Sequence, residues 1–311
     1  RVARAARTDR IRMRRSGVSS EIPPTEAISA RSVGLDLLST PRLVELLIAE
    51  QRDAVEAAMA RKREICEAVE EIAARLARGG TLHYVGAGTS GRLAMLDAAE
   101  MPPTFGTRPE LVRAHVAGGT AALTRSIEGA EDDAAAGDAA MRESVSSNDA
   151  VVGISASGGA AFVVAAIERA RSLGAYTVAL TGSEHSALAR AANMAIVLAT
   201  GAEALSGSTR MKAGTAQKIV LNAISTAVMV GIGRVYDNLM VDLVASNVKL
   251  RARAVRMVRA IAEVDEPRAL ELLAAAGGHV KVAIVMARQG LDAAQARALL
   301  QRTNGSLRAL L

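Results

Sequence analysis

Aromatic side chains are nearly absent. Among 311 residues there are three Tyr, two Phe and no Trp. So few rings cannot supply the stacking platforms on which single-stranded nucleic acids are bound. Cysteine is as scarce: Cys66 stands alone. That excludes an intramolecular disulfide and a Cys-built zinc site, and it fits a reducing, cytoplasmic setting. The four histidines, His83, His115, His185 and His279, are scattered without metal-ligand spacing, so no metal is expected. Long hydrophobic runs are missing too. The longest apolar stretch, Ile219 to Gly233, is interrupted by Asn222, Ser225 and Thr226 and is too short to span a bilayer.

Uncompensated charge is confined to one place. The chain carries a formal +6, and residues 1–15 alone hold seven Arg and one Asp. The remainder balances 31 basic against 31 acidic residues. The body therefore gives no reason to expect nucleic acid or an anionic membrane as a partner. Residues 1–24 read as a disordered basic tail ending at Pro23-Pro24. The tail lacks the apolar segment of a secretory signal. With Arg at position 1, it reads as an upstream-extended gene start.

What is present is a globular balance, 50% hydrophobic and 23% charged. Thr40-Pro41 opens a helical pattern that runs to Arg78 and stops at Gly79-Gly80. Five short apolar segments follow: Thr81–Val85, Val112–Ala117, Ala150–Ile154, Tyr176–Leu180 and Met194–Leu198. Helical segments separate them, and this alternation predicts a parallel sheet covered on both faces. Helices are expected again over 242–263, then three short ones over 266–311, broken at Gly277-Gly278 and Gly290.

In such sheets ligands sit beyond the carboxyl ends of the strands, where strand order reverses. With the flavodoxin-like order 2-1-3-4-5, the reversal lies between the first and third strands. Those strands carry the loops richest in glycine and hydroxyls, Gly86-Ala87-Gly88-Thr89-Ser90-Gly91 and Ser155-Ala156-Ser157-Gly158-Gly159. Each opens into a helix, as a phosphate cradle does; each is equally readable as a tight strand-to-helix turn. The first loop also fits G-x-G-x-x-G. No acid ends the second strand to hold a ribose, however, and no Walker lysine is present, which argues against NAD and P-loop binding. Asp97 and Glu100 lie three apart before Pro102-Pro103, which should stop that helix, and Glu128, Glu131, Asp132 and Asp133 cluster beside a helix start. These acids are either ordinary helix-dipole partners or a general acid/base pair. Gly207 to Thr215 adds glycines, hydroxyls, Arg210 and Lys212, readable as anion ligands or as a capped helix start.

Taken at full length, these stretches resemble the N-acetylmuramic acid 6-phosphate etherase family. The resemblance is carried by Tyr84–Leu93, Leu96–Gly106, Ala117-Gly118-Gly119, Glu128–Asp132, Gly207–Lys218, and Asn238–Asp242 with Asn247, Lys249 and Leu250. It extends from about Thr25 to the C-terminus. It implies a SIS (sugar isomerase) fold, a three-layer αβα sandwich, and a homodimer with its site near the subunit interface. It also implies cleavage of the D-lactyl ether of a phosphosugar by elimination and hydration, as a carbon–oxygen lyase with no cofactor. By the same resemblance Glu100 is the proton donor to the lactyl oxygen and Glu131 the base. Thr89, Ser90, Ser155 and Ser157 would hold the phosphate, and Ser208 and Arg210 the sugar or lactyl carboxylate. The expected domains are the 1–24 tail, a 25–262 phosphosugar domain and a 263–311 helical region.

Two departures stand out. Where the family usually reads Ala-Ser-Gly-Arg-Thr-Pro-Tyr, this chain reads Ala156-Ser157-Gly158-Gly159-Ala160-Ala161-Phe162. Ser29 stands where the early Thr-Glu-x-x-Asn motif has Asn. The motifs are also similar to the glucokinase regulatory protein, which binds sugar phosphates without cleaving them. A non-catalytic sensor and an aldose–ketose isomerase on the same fold therefore remain alternatives to the etherase.

Overall fold

The computed structural model describes residues 24–243, 248–303 and 305–311. Residues 1–23 of the basic tail and Asn247 lie outside them. Five strands form one sheet: β1 (Leu82–Gly86), β2 (Val112–Val116), β3 (Ala150–Ser155), β4 (Tyr176–Thr181) and β5 (Met194–Val197). Their order is β2-β1-β3-β4-β5 and every pairing is parallel, with Leu82 opposite both Val112 and Ala150. β1 and β3 are buried along their whole length, as apolar strands must be when helices cover both faces.

The helical stretch expected over 41–78 is three helices, α1 (Thr40–Ala49), α2 (Arg52–Met59) and α3 (Lys62–Ala77). Both joints are tightened turns, closed by Gln51 N–H to the Ile48 carbonyl and Arg61 N–H to the Ala58 carbonyl. The first joint turns Glu50 inward; the second sends the Arg61 guanidinium to the Val197 carbonyl at 2.9 Å, at the end of β5. Tertiary bonds thus bend a sequence whose local pattern is continuous.

α4 (Gly88–Phe105) does not stop at Pro102-Pro103 as expected but contains both prolines. Met101 and Phe105 are buried and hold this last turn in the core. Gly106, at φ +60, then closes the helix with its N–H on the Pro102 carbonyl. α5 (Ala134–Ser144), α6 (Ala161–Ser172), α7 (Ala187–Ala191) and α8 (Lys212–Gly231) complete the layers. Among the described residues no helix is long and apolar enough to cross a membrane.

α9 (Val248–Ala262), α10 (Glu266–Ala275), α11 (Val280–Gln289) and α12 (Ala293–Arg302) build a second hydrophobic core with Val241, Leu243 and Leu307. α9, assigned from the sequence to the sheet domain, packs with the C-terminal helices through Ala254, Met257 and Val258. Lys281 joins the two bodies: its buried ammonium donates to the Gly233 carbonyl at 2.7 Å and to Asp242 Oδ2 at 2.9 Å.

His83 and His115 stack in the β1–β2 layer, ring centroids 5.2 Å apart, with His83 Nδ1 3.0 Å from His115 Nε2. Burial pushes both imidazoles down to about 4, so the folded chain holds them neutral. The unfolded chain takes up these protons from about pH 6.5 downward. Stability from the pair is therefore complete above pH 6.5 and is lost as pH falls toward 4. Urea denaturation of His83→Leu should show a loss between pH 7 and pH 4.5 that is about 2 kcal/mol smaller than in the parent chain. An unchanged pH dependence would show that His83 is not held neutral by the fold.

Candidate active site

The crevice starts from a close approach. A Cβ on Gly86 would lie 2.7 Å from Gly91 N, and one on Gly91 would lie 2.7 Å from the Gly86 carbonyl oxygen. Two glycines let the end of β1 press on the first turn of α4. The N–H groups of Gly88, Thr89 and Ser90 open that helix, where no intrahelical acceptor exists. They form the anion-binding end of the helix.

A chain of contacts runs around the carboxyl edge of the sheet from this point. Ser90 Oγ, buried, donates to Gln217 Oε1 of α8 at 2.9 Å. Thr89 Cγ2 lies 3.4 Å from where a Cβ on Gly214 would be. Upstream of α8, Gly207 N–H donates to the Thr25 carbonyl at 3.3 Å, and Ser206 Oγ donates to the Glu26 carbonyl at 3.1 Å. Thr25 Cγ2 lies 3.6 Å from where a Cβ on Gly182 would be, and Gly182 N–H donates to the Ala156 carbonyl at 2.9 Å. That closes the path on the β3 loop. There Ser155 Oγ accepts from Gly158 N–H at 3.1 Å and Ser157 Oγ accepts from Gly159 N–H at 3.3 Å, leaving each hydroxyl proton free to donate.

Thr89, Ser90, Ser155 and Ser157 lie at the two ends of this path, and Ser208 follows Gly207 within it. The donor of Ser90 is committed to Gln217, which leaves the Thr89 hydroxyl and the backbone N–H groups for an anion. Ser208 is half-buried, and Arg210 is exposed with no ion pair among the described residues. Glu131 sits exposed in the turn Ala130–Asp132, which packs against α6 beside the β3 loop. Glu100 stands apart. It is exposed on α4, twelve residues beyond Gly88, which is about 18 Å along the helix axis.

Two residues that sequence reasoning paired or freed have other tasks. Asp97 is buried and accepts from Tyr84 OH at 3.0 Å, Asn222 Nδ2 at 2.6 Å and Ser225 Oγ at 3.0 Å. Burial nevertheless pushes its carboxyl up. Asp97 ties β1, α4 and α8 together and is buried, whereas Glu100, one turn on, is exposed. Lys212 is no anion ligand: its ammonium is buried and donates to Glu50 Oε2 and Asp53 Oδ2, each at 2.9 Å. Arg31 pairs with the same two carboxylates, and its hydrogen bond to Asp53 holds that group down at about 2. Glu203 is buried and accepts the N–H groups of Lys212 and Ala213 at 3.1 and 2.9 Å, capping α8. An acid nine residues before a helix in a loop has no sequence signature as a cap.

Residues 130–227 match the profile of the SIS domain, and residues 64–171 match that of the glucokinase regulatory protein N-terminal SIS domain. Fold and site thus define a SIS-class α/β protein. An N-acetylmuramic acid 6-phosphate etherase of Gloeobacter violaceus is 48% identical over 284 residues, 91% of this chain and 93% of the relative. One from Symbiobacterium thermophilum is 50% identical over 267 residues, 86% and 89% of the two chains. One from Klebsiella aerogenes is 44% identical over 285 residues, 91% and 95%. The chain belongs to the N-acetylmuramic acid 6-phosphate etherase family.

The departure at 159–161 now has a geometry. Gly158 cannot carry a side chain: its φ is +72 and a Cβ would lie 2.3 Å from Ser186 Oγ. Gly159 can, since the nearest atom to its Cβ position is Ser157 Oγ at 3.7 Å. Ala160 is the N-cap of α6 and offers no side-chain cap. The threonine usual in the family would therefore sit at a capping position, a loss of about 1 kcal/mol here. Gly159→Arg places the missing cation at the β3 loop. Steady-state kinetics should show KM for the phosphosugar falling about tenfold, the worth of one charge-assisted hydrogen bond, with kcat little changed. An unchanged KM would show that the phosphate is held elsewhere.

Proposed function

We propose that this chain cleaves the D-lactyl ether of N-acetylmuramic acid 6-phosphate, giving N-acetylglucosamine 6-phosphate and D-lactate. The observation that carries this reading is near-half identity to etherases along nine-tenths of the chain. Glu100 and Glu131 stand at the family's catalytic positions. The substrate's phosphate sits on the α4 N-terminus with Thr89, Ser155 and Ser157; Ser90 holds that cradle to α8. Ser208 and Arg210 meet the sugar or the lactyl carboxylate. The ring opens to its aldehyde, which acidifies the C2 proton. Glu131 takes that proton, the C3–O bond breaks, and Glu100 protonates the departing lactyl oxygen. Water then adds across the C2–C3 double bond, its oxygen to C3 and a proton to C2. No step calls for an oxidant or a metal-bound nucleophile.

The active unit is a homodimer with shared sites. Glu100 lies about 18 Å along α4 from the phosphate cradle of its own protomer, farther than a hexose phosphate reaches. It acts instead on the sugar held by the partner's loops. α1 supports the assembly: none of its residues is buried, and Val44 and Ile48 are 47% and 67% exposed, a face that a second copy covers. A phosphorylated sugar does not cross a bilayer unaided, so the reaction belongs in the cytoplasm, where it recycles cell-wall sugar. The domain division follows the two cores, with α9–α12 as the smaller unit.

D-lactate release from the phosphosugar tests both parts. Glu100→Ala and Glu131→Ala homodimers should each release none, and neither should the parent chain acting on the unphosphorylated sugar. A heterodimer of the two variants has one site with both carboxylates intact and should recover half the parent rate. A silent heterodimer would place both carboxylates in one protomer. No release by the parent chain, together with saturable binding of the phosphosugar, would make the chain a sensor.

A further inference from the structure

Away from the sugar crevice, a cavity of about 900 Å³ lies where α3 and the end of α8 meet the C-terminal helices. α8 separates it from the cradle: its 20 residues begin beside Thr89 and end at this cavity, a distance of about 30 Å. That volume is in the range of small-molecule sites.

Its charge is one-sided. Arg234, Lys281 and Arg308 line it, and Asp242 is the one carboxylate in the lining. Asp242 Oδ2 receives both Arg234 at 3.1 Å and Lys281 at 2.9 Å, so one carboxylate answers two cations. Arg308 makes no ion pair among the described residues. Its guanidinium lies over the Tyr236 ring, 4.2 Å from the centroid. The segment that supplies this wall is itself basic: residues 248–311 hold eleven Lys and Arg against five Asp and Glu. On the other side Ala73, Ala74 and Ala77 of α3 offer an apolar wall. Three cations against one carboxylate leave the lining a net +2 beside a small-residue wall, which matches a dianionic phosphate on a compact body.

We propose that this cleft is a second binding site, for a small phosphomonoester of sugar size. The phosphate bridges Arg308 and Arg234, and the rest of the molecule lies along α3. A ligand there joins the sheet domain to the C-terminal helices, beside the clip formed by Lys281. The proposal is independent of the etherase reading, because it uses none of the crevice residues.

The test is calorimetric titration of the full chain with N-acetylglucosamine 6-phosphate, repeated with inorganic phosphate and with unphosphorylated N-acetylglucosamine. Two binding events per chain are expected with the sugar phosphate and none with the neutral sugar. Arg308 is exposed, so Arg308→Ala should leave the fold intact. It should weaken one event at least tenfold while the other is unchanged, and Arg308→Lys should restore part of the loss. Thr89→Ala, which removes a hydroxyl at the α4 N-terminus, should weaken only the other event. If inorganic phosphate competes at the Arg308-dependent event, the anion rather than the sugar is recognised. A single event per chain that is insensitive to Arg308→Ala overturns the proposal, whether or not the chain releases D-lactate.

Discussion

A buried ammonium organises this molecule. Lys212 is 1% exposed, and a cation so placed is tolerated only when paired and hydrogen-bonded. Its partners, Glu50 and Asp53, come from the joint and first turn of two N-terminal helices, and Arg31 closes the set as two cations on two carboxylates. The pairing makes the α1–α2 break obligatory, because Glu50 must face inward. It also sets where α8 begins. Glu203 caps the same turn, so the Gly207–Met211 loop, which carries Ser208 and Arg210, is tied down where it meets α8. Through Gln217, α8 then fixes Ser90 and with it the cradle of β1.

Electrostatics locate the helices; glycines set how near they come. Gly86 and Gly91 bring the end of β1 and the start of α4 within a distance no Cβ allows, and Gly158 does the same for the β3 loop against the β4 loop. The resulting site is built largely from backbone N–H groups and hydroxyl protons. Backbone N–H groups at a helix start favour an anion with few side-chain cations, so Gly at position 159 is expected to weaken phosphate binding rather than abolish it.

Much of this was legible in the sequence. The five strands lie within a residue or so of their expected bounds because apolar runs flanked by glycine have one interpretation in an α/β alternation. The three C-terminal helices broke where Gly277-Gly278 and Gly290 said they would. What escaped depended on contacts distant in the chain. Nothing local announces that Lys212 will reach Glu50, 162 residues away, or that burial of Met101 and Phe105 will carry α4 past two prolines. The allegiance of α9 was hidden likewise, since its apolar face fits either core. The charge balance misled in one respect: an even total conceals a C-terminal third that is strongly basic. Glu100 and Glu131 were visible as acids, but only the resemblance to the family proposes them as a catalytic pair rather than helix-dipole partners, and only the length of α4 sets Glu100 apart from the start of its helix.

The most direct measurement is the unfolding free energy of Lys212→Met against the parent chain, with Lys212→Met/Glu50→Gln/Asp53→Asn as the companion. Removing the ammonium alone leaves the buried Glu50 and the part-buried Asp53 to share the one guanidinium of Arg31 and should cost about 3–5 kcal/mol, while the triple variant should recover much of that stability. Phosphosugar affinity should fall in the single variant, because the α8 start no longer holds the crevice together. A single variant within 1 kcal/mol of the parent and unchanged in affinity would mean that the crevice is assembled without this pair.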